Sequence, residues 1–372
     1  MKKNIVIVVS ALNMGGAQRV VSILCNHWSQ SGYAVTIIST FTGKKINHFQ
    51  LNKDVTLKYL DTNPFFSKMK IFNLIWKLIC LRRVIKEINP NIVISFLTRV
   101  NVATTLSNLG TKFPLIVCER SWPPFLSLSE YFFWMYKILF KRVDKFVVQT
   151  LESKTWFSQN MPGSKIEVIP NPIVFPLPLN NEQLVNPDLK VATNKKIILA
   201  SGRLHRYKQF DMLIRAFSRI ASAHQDWDLV ILGDGEERSS LHKLSTELEI
   251  DDRVIFLGSV GNMAEWYERA DLFVMSSKLE GFPNVLLEAM SHGLPSISFD
   301  CNTGPRDMVK DGLNGILVDP DERELGLENA MKKLITNKAL RKKFSQNSIL
   351  LKDEYSIRNI IKKWDKALSL YY

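Results

Sequence analysis

A chain of 372 residues, 46% of them hydrophobic, is too long for one ordinary core and suits two domains of roughly 150–200 residues each, without long disordered tracts. Its four cysteines (Cys25, Cys80, Cys118 and Cys301) lie far apart with no C-x-x-C pair, and its six histidines include no i, i+4 pair. That argues against a disulfide framework or a zinc site and for reduced thiols. The formal net charge of +13 points to an anionic partner, yet no basic run of five residues, zinc-finger spacing or RNA-binding aromatic signature speaks for nucleic acid.

The chain starts with Lys2-Lys3 and the apolar run 5–9. That run is too short for a secretory signal and no small-residue cleavage site follows it, so a first buried strand is expected. Further strands are expected at 34–40, 92–96, 114–119, 145–150 and 165–169. Several are continuous apolar runs, as in parallel sheets covered on both faces. The longest apolar stretches between them, 71–81 and 131–140, are about half the ~20 residues a spanning helix needs and carry lysines. A chain that spans no membrane is expected. From Pro170-Asn171-Pro172 to Pro187 there are five prolines and no clear periodicity, which marks 173–195 as an interdomain linker. Alternation resumes with strands at 196–201, 227–232, 253–257, 272–275, 296–299 and 315–318, and helices near 209–220 and 284–291. The expected division is therefore a domain over 1–172, the linker, a second domain over 196–356 and a last helix at 357–372. That helix carries Trp364 on one face. Two doubly wound α/β domains in this arrangement place a cleft between them, with ligands beyond the carboxyl ends of the strands.

Several strand ends carry residues suited to a phosphorylated ligand. The first runs into Gly15-Gly16, where bare backbone can approach a ligand at a helix start. The spacing is not that of a dinucleotide fingerprint, and a tight strand–helix turn accounts for it equally well. In the second half, Gly202 and Arg203 follow a strand, with Lys208 five residues on. A forked guanidinium and a mobile ammonium suit a diphosphate. Gly233-Asp234-Gly235 brings backbone close to the cleft, and Gly258-Ser259-Val260 offers backbone groups to a base edge. Most informative is the segment Ser276-Ser277-Lys278-Leu279-Glu280-Gly281-Phe282-Pro283-Asn284-Val285-Leu286-Leu287-Glu288-Ala289-Met290. Here a strand ends and a helix starts, with Pro283 suited to the first helical position and amides open to phosphate. Glu280 precedes the terminus, and Glu288, one turn inside, can accept from ribose hydroxyls.

This segment resembles the E-x7-E signature of retaining glycosyltransferases. With Gly15-Gly16, Gly202-Arg203, Lys208 and Gly233-Asp234-Gly235, nearly the whole chain is similar to glycosyltransferase family 4, of the polysaccharide or O-antigen type. The resemblance implies a GT-B fold, two Rossmann-like domains facing a central cleft, with the nucleotide-sugar donor held by the second and the acceptor by the first. It implies that Arg203 and Lys208 bind the donor diphosphate, Glu288 the ribose and Glu280 the transferred sugar, without metal or other cofactor. A UDP-sugar is the expected donor. Many relatives carry a histidine after the fourth strand of domain one. Here the stretch reads Cys118-Glu119-Arg120-Ser121-Trp122, so Glu119 and Arg120 become the catalytic candidates. Arg120 can steady phosphate charge, and Glu119 can take the acceptor's hydroxyl proton. Either can equally be a structural ion-pair member.

Two tripeptides, Asp226-Trp227-Asp228 and Asp319-Pro320-Asp321, mimic a D-x-D metal motif. The first opens a strand at the wrong edge, and the second is placed to cap a helix. On the acceptor side, residues 68–86 combine six basic residues with bulky apolar ones and no acid. Residues 125–145 set Tyr131, Phe132, Phe133, Trp134 and Tyr136 beside Lys137, Lys141 and Arg142. Basic, aromatic helices of this kind lie on anionic membranes, and buried helices with outward lysines have the same composition. The expectation is a peripheral enzyme on the cytoplasmic face of the plasma membrane. It transfers a hexose or N-acetylhexosamine from a UDP-sugar to a polyprenyl-diphosphate-linked saccharide. An epimerase of the same fold, needing no acceptor, and a non-catalytic nucleotide-sugar-binding module are the alternatives.

Overall fold

The computed structural model describes residues 3–12, 15–40, 50–60, 70–122, 124, 130–180 and 182–371. It divides into two compact units, Met1–Asn171 with Ile360–Tyr372, and Pro172–Asn359.

The first unit is built on strands β1 (Asn4–Val9), β2 (Ala34–Ser39), β3 (Val55–Tyr59), β4 (Ile92–Phe96), β5 (Leu115–Cys118), β6 (Lys145–Val148) and β7 (Ile166–Val168). All are parallel, in the order β3-β2-β1-β4-β5-β6-β7. Helices α1 (Gly16–Gln30), α2 (Lys70–Ile88), α3 (Thr98–Asn108), α4 (Glu130–Phe140) and α5 (Leu151–Asn160) occur along the same stretch of chain. Every residue of β4, β5 and β6 is buried, which is why β5 and, apart from Ser95 and Lys145, β4 and β6 read as apolar runs. Strand β3, by contrast, is an edge strand whose residues alternate between exposed and half-buried. Its Val-Thr-Leu-Lys-Tyr carries no continuous apolar signal, and the sequence reading missed it.

The second unit orders its strands β10-β9-β8-β11-β12-β13, again all parallel. These are β8 (Lys196–Ser201), β9 (Trp227–Leu232), β10 (Val254–Gly258), β11 (Leu272–Met275), β12 (Ser296–Phe299) and β13 (Gly315–Val318). The helices are α6 (Phe210–Ala221), α7 (Arg238–Glu247), α8 (Met263–Arg269), α9 (Asn284–Ser291), α10 (Pro305–Met308), α11 (Arg323–Thr336), α12 (Lys338–Ser348), α13 (Leu351–Glu354) and α14 (Ile357–Leu368). Helix α6 turns Phe210, Leu213, Ile214, Phe217 and Ile220 inward. That spacing is one apolar stripe at 3.6 residues per turn.

The segment expected as a linker is packed. Ile173, Val185 and Val191 belong to the second unit's core, and the Asn262 amide bonds both N–H and C=O of Val185 at 3.0 Å. The unit boundary falls inside α14. Its Trp364 is fully buried, edge-on to Trp28 at 6.0 Å and tilted against Phe96 at 6.2 Å. Lys145 Nζ donates to Ala367 O at 3.0 Å, so the tail completes the first unit's core.

Both sheets reverse strand order beside their first strand, between β1 and β4 and between β8 and β11. At such a reversal the two following loops diverge and leave a crevice at the carboxyl edge. Among the described residues no helix is long and apolar enough to cross a membrane.

Candidate functional site

In the second unit the residues singled out from the sequence gather at this reversal. Three strand ends are tied through glycines: Gly202 N–H donates to Leu232 O at 3.0 Å and Gly233 N–H to Gly258 O at 2.7 Å. Gly233 has φ +126, and a Cβ there would fall 2.0 Å from Gly202 O. Only glycine allows this approach of backbone to backbone. After β8 the chain makes a 3-10 turn, Arg206–Lys208, capped by His205. This turn is fastened to the loop after β11: Ser276 Oγ donates to Lys208 O at 2.8 Å, and Lys278 N–H to Tyr207 O at 2.9 Å.

The result is an ion pair the sequence did not foresee. Lys208 Nζ lies 2.5 Å from Glu280 Oε1, with the lysine side chain 23% and the glutamate side chain 10% exposed. Two residues given separate ligand roles meet each other, because the β8–β11 adjacency brings their loops together. Glu280 is held further by Thr303, whose hydroxyl donates to the Glu280 carbonyl, and Cys301 Sγ bonds Thr303 O at 3.8 Å. Burial, with the Glu280 charge second, pushes the Cys301 thiol up to about 12. Thr303 was not picked out in the sequence and Ser276 was given no role there, since hydroxyls at strand ends carry no distinguishing spacing.

Helix α9 begins at Asn284, so Pro283 is its cap rather than its first residue. Gly281 and Val285 flank this turn. Phe282 and Val260 are core residues, 7% and 4% exposed, so any ligand contact from them is through backbone. Glu288 is buried inside α9 and accepts from the Tyr267 hydroxyl at 3.2 Å. Tyr267 is a further residue the sequence reading missed. Arg203 is exposed beyond Gly202.

Both D-x-D tripeptides have structural partners. Asp228 pairs with Arg253 at 2.7 Å and Lys195 at 3.4 Å, and Asp226 with Lys196 at 2.7 Å. Asp319 caps the 3-10 turn Pro320–Glu322. Among the described residues no group of three His, Cys, Asp or Glu side chains could hold a metal ion.

In the first unit Gly15 caps α1, and Gly16 is its first residue. Glu119, for which both a proton-accepting and a structural role were expected, is enclosed. It is 2% exposed. Its Oε1 accepts from Thr98 Oγ1 (2.9 Å), Arg120 N (3.0 Å) and Ser121 N (3.2 Å), and its Oε2 from Tyr136 Oη (2.9 Å). Burial raises its pKa above the usual carboxylate range, and these four donors oppose the rise. Arg120 is also buried, and its guanidinium turns to other partners. Its Nη1 donates to Asn171 Oδ1 at 3.0 Å, and its guanidinium lies over the Phe96 ring at 4.9 Å. The four bonds to Glu119 and the Asn171 and Phe96 contacts of Arg120 give both residues structural partners.

The acceptor-side stretches split. Tyr136 is core, whereas Trp134 (58%) and Ile138 (45%) are exposed on α4. On α2, Leu81 and Ile85 are buried and Ile71 (72%), Ile75 (49%) and Ile79 (56%) are exposed. Residues 68, 69 and 125–129 and the Tyr131 side chain lie outside the described residues.

Two parallel Rossmann-like sheets, with a Lys–Glu pair and a helix mouth at the second sheet's reversal, define a GT-B protein with the layout of a nucleotide-sugar transferase. A family model described as "Glycosyltransferase Family 4" matches residues 14–174, and one described as "Glycosyl transferases group 1" matches residues 182–350. The chain belongs to glycosyltransferase family 4, whose members are retaining enzymes. It is 30% identical to an uncharacterized glycosyltransferase of Haemophilus influenzae, over 99% of this chain and 100% of that one. It is 26% identical, over 97% of both, to a Campylobacter jejuni α-1,4-N-acetyl-D-galactosaminyltransferase acting on an undecaprenol-diphosphate-linked saccharide. Among solved structures, sucrose-phosphate synthase of Thermosynechococcus elongatus superimposes with a TM-score of 0.84 at 17% identity, over 99% of both chains. Anabaena HepE in complex with UDP gives 0.79 at 18% identity, over 100% of both.

Proposed function

We propose that the protein transfers a hexose or N-acetylhexosamine, with retention, from a UDP-sugar to a polyprenyl-diphosphate-linked saccharide. The reaction serves cell-surface polysaccharide synthesis at the cytoplasmic face of the membrane. The single observation that carries the donor half is the Lys208–Glu280 pair at the mouth of α9. A cation and a carboxylate held together beside a helix start match a ligand that is anionic at one end and hydroxyl-rich at the other. In this reading Arg203 and Lys208 take the diphosphate, with Gly202, Gly233, Gly281 and the Pro283-Asn284-Val285 backbone closing around it. Gly258 to Val260 meet the base, Glu288 the ribose and Glu280 the transferred sugar. In the first unit, Gly15 and Gly16 leave room at the start of α1, Arg120 faces phosphate charge, and Glu119 positions the loop rather than moving a proton.

The lipid-linked acceptor is supported by the C. jejuni relative and by Amylovoran biosynthesis glycosyltransferase AmsD of Erwinia amylovora, 28% identical over 99% of this chain. It is also supported by the exposed Ile71, Ile75, Ile79 and Trp134 on helices that carry Lys77, Arg83 and Lys137. An apolar stripe rimmed by cations suits an anionic leaflet. The test is a thermal-shift panel of nucleotide sugars, followed by UDP release with and without polyprenyl-diphosphate N-acetylhexosamine. Stabilisation by one UDP-sugar, and release that requires the lipid, support the reading. Conversion of the donor alone identifies an epimerase instead, and a donor that binds without turnover identifies a binding module.

A further inference from the structure

The first unit holds a charge that its own chain leaves incompletely answered. Arg120 is 8% exposed, and among the described residues neither Nε nor Nη2 has a hydrogen-bond acceptor. The adjacent carboxylate, Glu119, is engaged by Thr98, Tyr136 and two backbone amides instead. The Cys118 thiol lies beside the guanidinium, but burial pushes it up to about 12, so it supplies no counter-charge. A guanidinium kept from water with two of its three nitrogens unsatisfied is unfavourable unless an anion completes it.

Its surroundings favour an anion. Arg120 follows β5, next to β4 and the strand-order reversal. Helix α3 starts at Thr98 directly after β4, with no side-chain cap and no acid in its first turn, and exposed Arg99 sits on that turn. The start of α3 and the Arg120 loop form one fixed piece. Cys118 O accepts from Leu97 N at 3.2 Å and from Asn101 Nδ2 at 2.9 Å. Helix α1, entering after β1 through Gly15, likewise has no acid in its first turn. Two positive helix ends thus converge on the same edge as the guanidinium.

We propose that the first unit carries an anion site of its own, in which the Arg120 fork, held by Asn171 and Phe96, takes a phosphate oxygen of a diphosphate. The source is the acceptor's diphosphate or the donor's, and the choice between them rests on the proposed function. The site deepens the role that reading gives Arg120, and pyrophosphate binding tests it apart from turnover.

The test uses the full chain with Arg203→Ala and Lys208→Ala, which removes the second unit's cations, titrated with inorganic pyrophosphate by calorimetry at low salt. Binding is expected to persist. Adding Arg120→Met should weaken it at least tenfold and raise the midpoint of thermal unfolding without ligand, because an uncompensated buried charge has become an apolar side chain of similar length. Adding Arg120→Lys keeps the charge and loses the fork, and should weaken pyrophosphate binding while leaving the fold intact. Pyrophosphate affinity unchanged in both variants would overturn the site, as would a lower unliganded midpoint in Arg120→Met with binding retained. That second result marks a structural strut. UDP titration of the Arg120→Lys chain without the other changes then separates the sources. Weakened UDP binding assigns the anion to the donor, and unchanged UDP binding with weakened pyrophosphate binding assigns it to the acceptor.

Discussion

Exchange of partners at Lys208 offers a sharp test of the donor site. Its ammonium is 2.5 Å from Glu280, and both side chains are largely shielded. A diphosphate must therefore compete with that carboxylate for the lysine. Lys208→Ala removes a charge-assisted contact worth ~1.5–3 kcal/mol, which predicts a ten- to hundredfold loss in UDP affinity. The loop itself should persist, because the contacts from Ser276 Oγ and Lys278 N are made to backbone oxygens. Glu280→Ala acts in the opposite sense on UDP alone. The competing pair is worth about 0.2–1 kcal/mol when exposed and more when shielded. Releasing it predicts UDP binding two- to tenfold tighter, roughly, while turnover of the UDP-sugar falls because the sugar has lost its carboxylate. Calorimetry with UDP and steady-state kinetics with the UDP-sugar read both effects. If Lys208→Ala binds UDP as the parent does, or Glu280→Ala binds it more weakly, competition at Lys208 is the wrong account.

Glu119→Gln should keep turnover within about threefold of the parent. Oε1 retains its three donors, and the Tyr136 hydroxyl can reverse to accept from the new amide. A loss of a hundredfold or more would mark Glu119 as a base. The same pair of proteins has a pH signature. The folded Glu119 pKa lies above its unfolded value, so the folded state binds more protons between the two. Its contribution to stability is fully present below the unfolded pKa and is lost as pH rises through the folded one. Denaturant unfolding of parent and Glu119→Gln should therefore diverge from about pH 4 upward, with the parent losing ground. Ile71→Glu with Ile75→Glu should lower partition onto phosphatidylglycerol vesicles more than tenfold, since each exposed isoleucine contributes ~1.5–3 kcal/mol when buried in lipid. An unchanged partition coefficient would remove α2 from the membrane contact.

Much of the architecture could be read in the residues because buried parallel strands and amphipathic helices write their periods directly into sequence. Strand β8 (Lys-Ile-Ile-Leu-Ala-Ser) and helix α6 are examples. Edge strand β3 was missed because half-exposure leaves no apolar run. Residues 173–195 looked like a linker because prolines and polar residues mark irregular backbone, not its burial. Asn262 and Trp266, far away in sequence, supply the packing partners of Val185.

At the site, residue type and local order determined that a glycine-rich edge, a lysine and two glutamates flank a helix start. The sequence alone decided those chemical kinds. Which groups meet was decided by strand order. Placing β8 beside β11 joins Lys208 to Glu280 across 72 positions of chain, and placing β5 beside β4 turns Thr98 onto Glu119, while the Arg120 guanidinium meets Asn171. Hydrogen bonds and ion pairs fall off within a few ångströms, and distance along the chain carries no information about distance in space until the sheets have formed.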